Sequence, residues 1–141
     1  MYVVIMRIIL RIFAIIVWLA IIFNLLLLWR IWRAGTFALM VTGPLGLFTV
    51  LGWALIIAVG PFAAVQLWRL RENGRRASLL LSGYTLLYYF AMGLSFQQQH
   101  LATSKVWLWA GANAYFVMVL LSPTARRACR ADQSEYPRIS K

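Results

Sequence analysis

Ile12–Trp29 reads IFAIIVWLAIIFNLLLLW: one polar residue, Asn24, in a long apolar run flanked by Arg11 and Arg30. At about 1.5 Å per residue this run just spans the hydrocarbon of a bilayer. Arginines at its ends can snorkel to the headgroups along their apolar stems. The run is longer than a signal-peptide core and continues through Asn24 into more leucines, so it reads as a retained first helix.

The rest of the chain has the same character. Hydrophobic residues make up 63% of 141 positions and charged residues 12%, against roughly a quarter charged in a soluble domain. A small globule could not hide that much apolar surface from water. The expectation is an all-α, polytopic integral membrane protein, a four-helix transmembrane bundle without room for a second domain. The net charge of +11 does not point to nucleic acid. Acids are reduced to Glu72, Asp132 and Glu135, and the basic residues sit at the ends of apolar segments. That distribution follows the positive-inside rule.

Further spans are expected at about 45–68, 77–96 and 106–121, after the first at 12–29, within a membrane domain covering 1–123. Met1–Arg11 reads as an interfacial foot or as the first turns of a long helix. Gly43-Pro44 favours a turn before the second span, and Gly60-Pro61 within it should kink the helix. The polar break from Arg69 to Arg76 separates spans two and three, and Gln97–Lys105 separates three and four. Pro123 ends the last span. The basic stretch 124–141 is too short and polar to build a core and is expected to be a disordered tail.

Orientation follows from charge. With both termini cytoplasmic, eleven basic residues lie inside, and Arg30, Arg33 and Lys105 lie outside. A competing topology keeps Arg30 and Arg33 inside by making 37–68 a re-entrant hairpin. Its arms of about 15 residues are too short to span. Trp29, Trp32, Trp68, Trp107 and Trp109 lie near span ends, where indoles favour the headgroup level.

The stretch Leu67–Leu81, LWRLRENGRRASLLL, resembles a hairpin of small, uncharacterised bacterial membrane proteins of about four helices. In those proteins an apolar helix ends in a Leu-Trp-Arg-like group, a basic turn follows and the next helix begins at once. The resemblance covers about a tenth of the chain. It implies a bacterial inner-membrane location and the second-to-third hairpin, and it implies no activity.

The candidate site residues each carry two readings. Asn24 and Asn113 either line a substrate path or make interhelical hydrogen bonds, which contribute on the order of 0.6–2 kcal/mol in membranes. Tyr84 and Tyr88 share a helical face at i and i+4, and with Tyr89 they either form a ligand-facing wall or pack within the bundle. Arg69, Arg71, Arg75, Arg76, Arg126, Arg127 and Arg130 either contact anionic lipids at the inner face or serve as a topology signal. His100 has no second histidine to share a metal, and Cys129 has neither a disulfide partner nor a histidine to activate it. Small residues four apart (Ala54 with Ala58, Ser78 with Ser82, Ala110 with Ala114) mark expected packing faces. No ionisable residue lies mid-span, whereas proton-coupled exporters normally need a buried carboxylate.

No cofactor, metal or enzymatic chemistry is expected. The expected function is that of a non-enzymatic structural, assembly or regulatory membrane component. Its partners would be the bilayer, anionic lipid at the inner face, and a membrane protein or further copies of itself. The alternative is an oligomeric transporter or channel for a neutral or lipidic substrate. It requires Asn24, Asn113 and the tyrosines to converge on one cavity.

Overall fold

In the computed structural model, which describes residues 2–35, 43–98 and 104–134, the described residues form five helices. They are α1 (Tyr2–Arg33), α2 (Pro44–Trp68), α3 (Glu72–Gln98), α4 (Ser104–Leu121) and α5 (Pro123–Ser134). The first four are long and apolar enough to cross a membrane. His100 and the middle of the loop between α3 and α4 lie outside the described residues.

No glycine or proline interrupts Tyr2–Arg33, and of the two readings of the N-terminal stretch the structure shows the first turns of one long helix. It stops at Gly35, whose φ of 66° is left-handed and whose amide bonds back to the Trp32 carbonyl. Pro44 opens α2 at a position where a missing N–H costs nothing. The helix then runs unbroken through Pro61. That excludes the re-entrant hairpin over Pro44–Trp68; residues 37–42 lie outside the described residues.

The α2–α3 turn is tighter than its basic sequence suggests. The Leu70 amide bonds to the Leu67 carbonyl and the Arg71 amide to the Gln66 carbonyl, the paired pattern of a Schellman termination. Leu70 occupies the left-handed position, at φ 52°. A non-glycine residue there costs roughly 1–2 kcal/mol. Its side chain is 3% exposed and belongs to the main apolar cluster, which offsets that cost.

Successive helices pack side by side, α1 on α2, α2 on α3 and α3 on α4, while α5 folds back mainly against α1. The cluster joining them lies at one end of the bundle. It contains Leu10, Phe13 and Ala14 of α1, Leu67 of α2, Leu70, Leu120 of α4, and Ala125, Ala128 and Cys129 of α5. Phe13 stacks on Phe116 with ring centroids 3.7 Å apart, tying α1 to α4.

Along the rest of the bundle most apolar side chains face outward, with Ile21, Trp53 and Leu81 among the buried exceptions. The most apolar windows of the four helices are only 17–28% buried. Leu19, Phe23, Leu26, Leu87, Leu108 and Met118 are among the exposed side chains. Water would penalise such a surface heavily, whereas lipid would not.

Two expectations change at this level. Over Pro123–Ser134 the tail is helical, and residues 135–141 lie outside the described residues. Ser122 starts α5: its hydroxyl accepts the Ala125 N–H at 3.2 Å, and Pro123 follows at the first helical position. Ala125, Ala128 and Cys129 then share one side of the helix and are fully buried. Composition counted this segment as polar, but three small residues at helical spacing are enough to dock it. The packing face of α2 also differs. Ala54 and Ala58 are exposed, while Gly52, Gly60, Ala63, Ala64 and Leu67 are buried. Ser78 and Ser82 of α3 are buried as expected, as is Ala110 of α4.

Candidate functional site

The basic residues of the 69–76 hairpin and those of α5 meet at the clustered end of the bundle. Both segments pack there against the same core residues. The N-terminal part of α1 arrives at the same end with Arg7 and Arg11. Arg11 lies over the Trp68 ring at 5.8 Å, a cation–π contact between α1 and the last residue of α2.

At the centre of this end is a buried clasp. Arg75 Nε donates to Glu72 Oε2 at 2.9 Å, and Arg75 Nη2 donates to Glu72 Oε1 at 2.6 Å, a bidentate pair within the first turn of α3. Arg75 Nη1 donates at 2.7 Å to the carbonyl of Leu120. That carbonyl belongs to the last turn of α4, where the helix has no amides of its own left to offer and carries partial negative charge. One guanidinium thus neutralises a carboxylate and caps a neighbouring helix. Glu72 is also well placed for the partial positive charge at the α3 N-terminus. Arg76 Nε reaches Glu72 Oε1 at 3.4 Å, but its side chain is 68% exposed.

Arg75 therefore leaves the set of candidate lipid contacts. It is 4% exposed, and its guanidinium is committed to protein acceptors. Arg69, Arg71, Arg76, Arg126 and Arg127 are exposed. The side chain of Arg130 lies outside the described residues. The clasp was missed in the sequence, although Glu72 with Arg75 and Arg76 has the i, i+3 and i, i+4 spacing of helical ion pairs. The spacing shows that a pair can form; it says nothing about whether the pair is buried.

Cys129 lies on the buried side of α5 with no exposure. Burial pushes its thiol up to about 11, and the negative charge of Glu72 adds to the shift against the opposing effect of Arg75. Reactivity follows the thiolate. In the detergent-solubilised folded protein, Cys129 is expected to label at least about a hundredfold more slowly at pH 7.5 than in denatured protein. Equal rates would show that α5 is undocked. The sign for stability also follows. Both states hold a neutral thiol at low pH, so this contribution is intact below the unfolded pKa and is lost as pH rises towards 11.

The other candidates are engaged within their own helices or between neighbouring helices. The Asn24 amide donates to the Ala20 carbonyl at 2.7 Å, and the Asn113 amide donates to the Trp109 carbonyl at 2.9 Å. Both acceptors lie in the residue's own helix, so neither bond is interhelical. The tyrosines act between helices. The Tyr84 hydroxyl donates to the Phe48 carbonyl of α2, and its ring stacks on Phe48 at 5.1 Å. A Cβ at Gly52 would stand 2.9 Å from the Tyr84 ring, so glycine there makes room for it. The Tyr88 hydroxyl accepts from Thr49 Oγ1 at 3.2 Å. Tyr89 stacks on Trp109 of α4 at 6.4 Å, and Phe90 meets Trp107 edge-on at 5.7 Å. Together these rings bind α3 to both neighbours. Among the described residues no cluster of three potential metal ligands occurs.

No family model matches the chain, and no curated protein or solved structure shows a significant similarity to it.

Proposed function

We propose that the chain is a small multi-pass protein of the bacterial inner membrane, with four spans and both termini cytoplasmic. It acts without catalysis, as a structural, assembly or regulatory component. The supporting observation is the combination of four long helices with outward-facing apolar surfaces and one end where basic residues gather around a rigid core. Such a body offers partners a lipid-embedded helical surface and a charged face at the inner membrane boundary. The transporter reading needed the asparagines and tyrosines to line a common path. Asparagines bonded to their own helices and tyrosines locked between helices favour packing instead.

Orientation is testable with cysteines at exposed positions, because native Cys129 is too enclosed to report it. In a Cys129→Ala background, the Lys105→Cys variant should label with a membrane-impermeant maleimide in intact cells. The Arg127→Cys variant should label only after lysis. The opposite pattern would reverse the topology, and labelling of both from outside would mean that α4 does not cross the membrane, leaving an even number of spans between them. Gentle-detergent purification tests the role itself. A stoichiometric protein partner supports an assembly function, whereas a homo-oligomer retaining a small molecule would shift the reading to transport.

A further inference from the structure

We infer that α5 and the α2–α3 hairpin together form a clamp for anionic phospholipid headgroups of the adjoining leaflet. The inference rests on the membrane reading above and names the partner of its basic end.

Depth comes first. Arg11 and Trp68 pair where the long apolar runs of α1 and α2 stop, the position that charged and indole side chains take at headgroup level. The same cluster places Leu10, Met6 and Ile9, one turn or so from Arg11, with the buried face of α5. α5 is therefore held at the depth of the Arg11–Trp68 pair and does not hang free below the bundle.

Charge comes next. With its small residues turned into the core, α5 leaves Arg126 and Arg127 exposed. The hairpin, packed into the same cluster through Leu67 and Leu70, adds exposed Arg69, Arg71 and Arg76. Glu72, the acid within the hairpin, is buried and engaged by Arg75 and Arg76, so it presents little negative charge to the surface. The result is a rim of guanidinium groups held by packed helices at the level where lipid phosphates lie. Guanidinium forks pair with phosphate oxygens in a bidentate manner, and basic residues near an anionic leaflet attract it additively.

The test uses full-length protein in zwitterionic detergent, melted with added phosphatidylglycerol, with phosphatidylcholine of the same chains, or with inorganic phosphate. Phosphatidylglycerol is expected to raise Tm by about 5 °C, and the other two should leave it unchanged. The combined Arg69→Gln, Arg71→Gln, Arg126→Gln and Arg127→Gln variant should lose that increment. Should the variant not fold, salt serves on the native protein: the increment should fade towards 1 M NaCl, where charges are screened within about 3 Å. Equal shifts from both lipids, a shift from phosphate alone, a salt-independent shift, or an increment retained by the folded variant would overturn the clamp. Alkaline carbonate extraction separates this from the parent reading. Release from membranes would sink the membrane assignment, whereas retention without a phosphatidylglycerol effect would sink the clamp alone.

Discussion

Gly74→Ala is expected to destabilise the bundle by about 3 kcal/mol or more. Gly74 sits in the first turn of α3 with the last turn of α2 directly against it. A Cβ there would lie 2.2 Å from the Leu67 amide nitrogen and 2.3 Å from the Gln66 carbonyl carbon. Both are backbone atoms fixed by the Schellman bonds of the turn, so no rotamer change can relieve the clash. Either the hairpin opens or α3 moves away from α2, and the second course pulls Arg75 from the Leu120 carbonyl. Gly83→Ala and Gly111→Ala are the controls. A Cβ at either position meets nothing within 4 Å, and alanine gains up to about 1 kcal/mol of helix propensity. Melting temperature in detergent is the readout. A Gly74→Ala protein that melts with the controls would show that the two helices do not approach this closely.

The clasp should give a loss of similar size with a different signature. Glu72→Gln leaves the Arg75 charge buried against a neutral amide, and Arg75→Met leaves a buried carboxylate and an uncapped Leu120 carbonyl. Breaking one side of a buried pair costs about 3–5 kcal/mol. Replacing both sides by apolar groups is much cheaper, because no unpaired charge remains. The double variant Glu72→Leu with Arg75→Met should therefore melt above the sum of the single losses, with only the unmet Leu120 carbonyl as residual cost. Strict additivity of the two single effects would mean that both groups are solvated and the clasp is not closed. Arg76→Gln should change stability little, since that side chain is mostly exposed.

Much of the architecture was legible along the chain. The four apolar helices lie where hydropathy and the turn residues place them, with ends within a few residues except at α1, which begins at Tyr2. Gly35, Gly43 and Pro44 punctuate the backbone as their conformational preferences require. In the basic hairpin the left-handed position belongs to Leu70, and Gly74 serves a close approach between helices, a role that depends on tertiary contact and has no local signal. The site was less legible. Seven arginines in two short basic stretches carry the same charge in the sequence, but burial separates Arg75 from its neighbours. Asn24 and Asn113 look like conspicuous polar residues in apolar runs, yet a carbonyl one turn earlier satisfies each amide.

What the amino-acid order determined by itself is the all-helical, strongly apolar character of the chain, the approximate positions of its four long helices and the segments where its positive charge gathers. Those properties depend on each residue's own transfer free energy and on local backbone preference, so they can be summed along the chain without knowing what touches what. The tertiary structure alone decided which faces meet, that α5 docks through Ala125, Ala128 and Cys129, and that Arg75 turns inward to hold Glu72 and the end of α4. Those are relations between helices. They depend on rotation and register, which apolar sequences facing outward on every side leave undetermined until side chains from different segments come into contact.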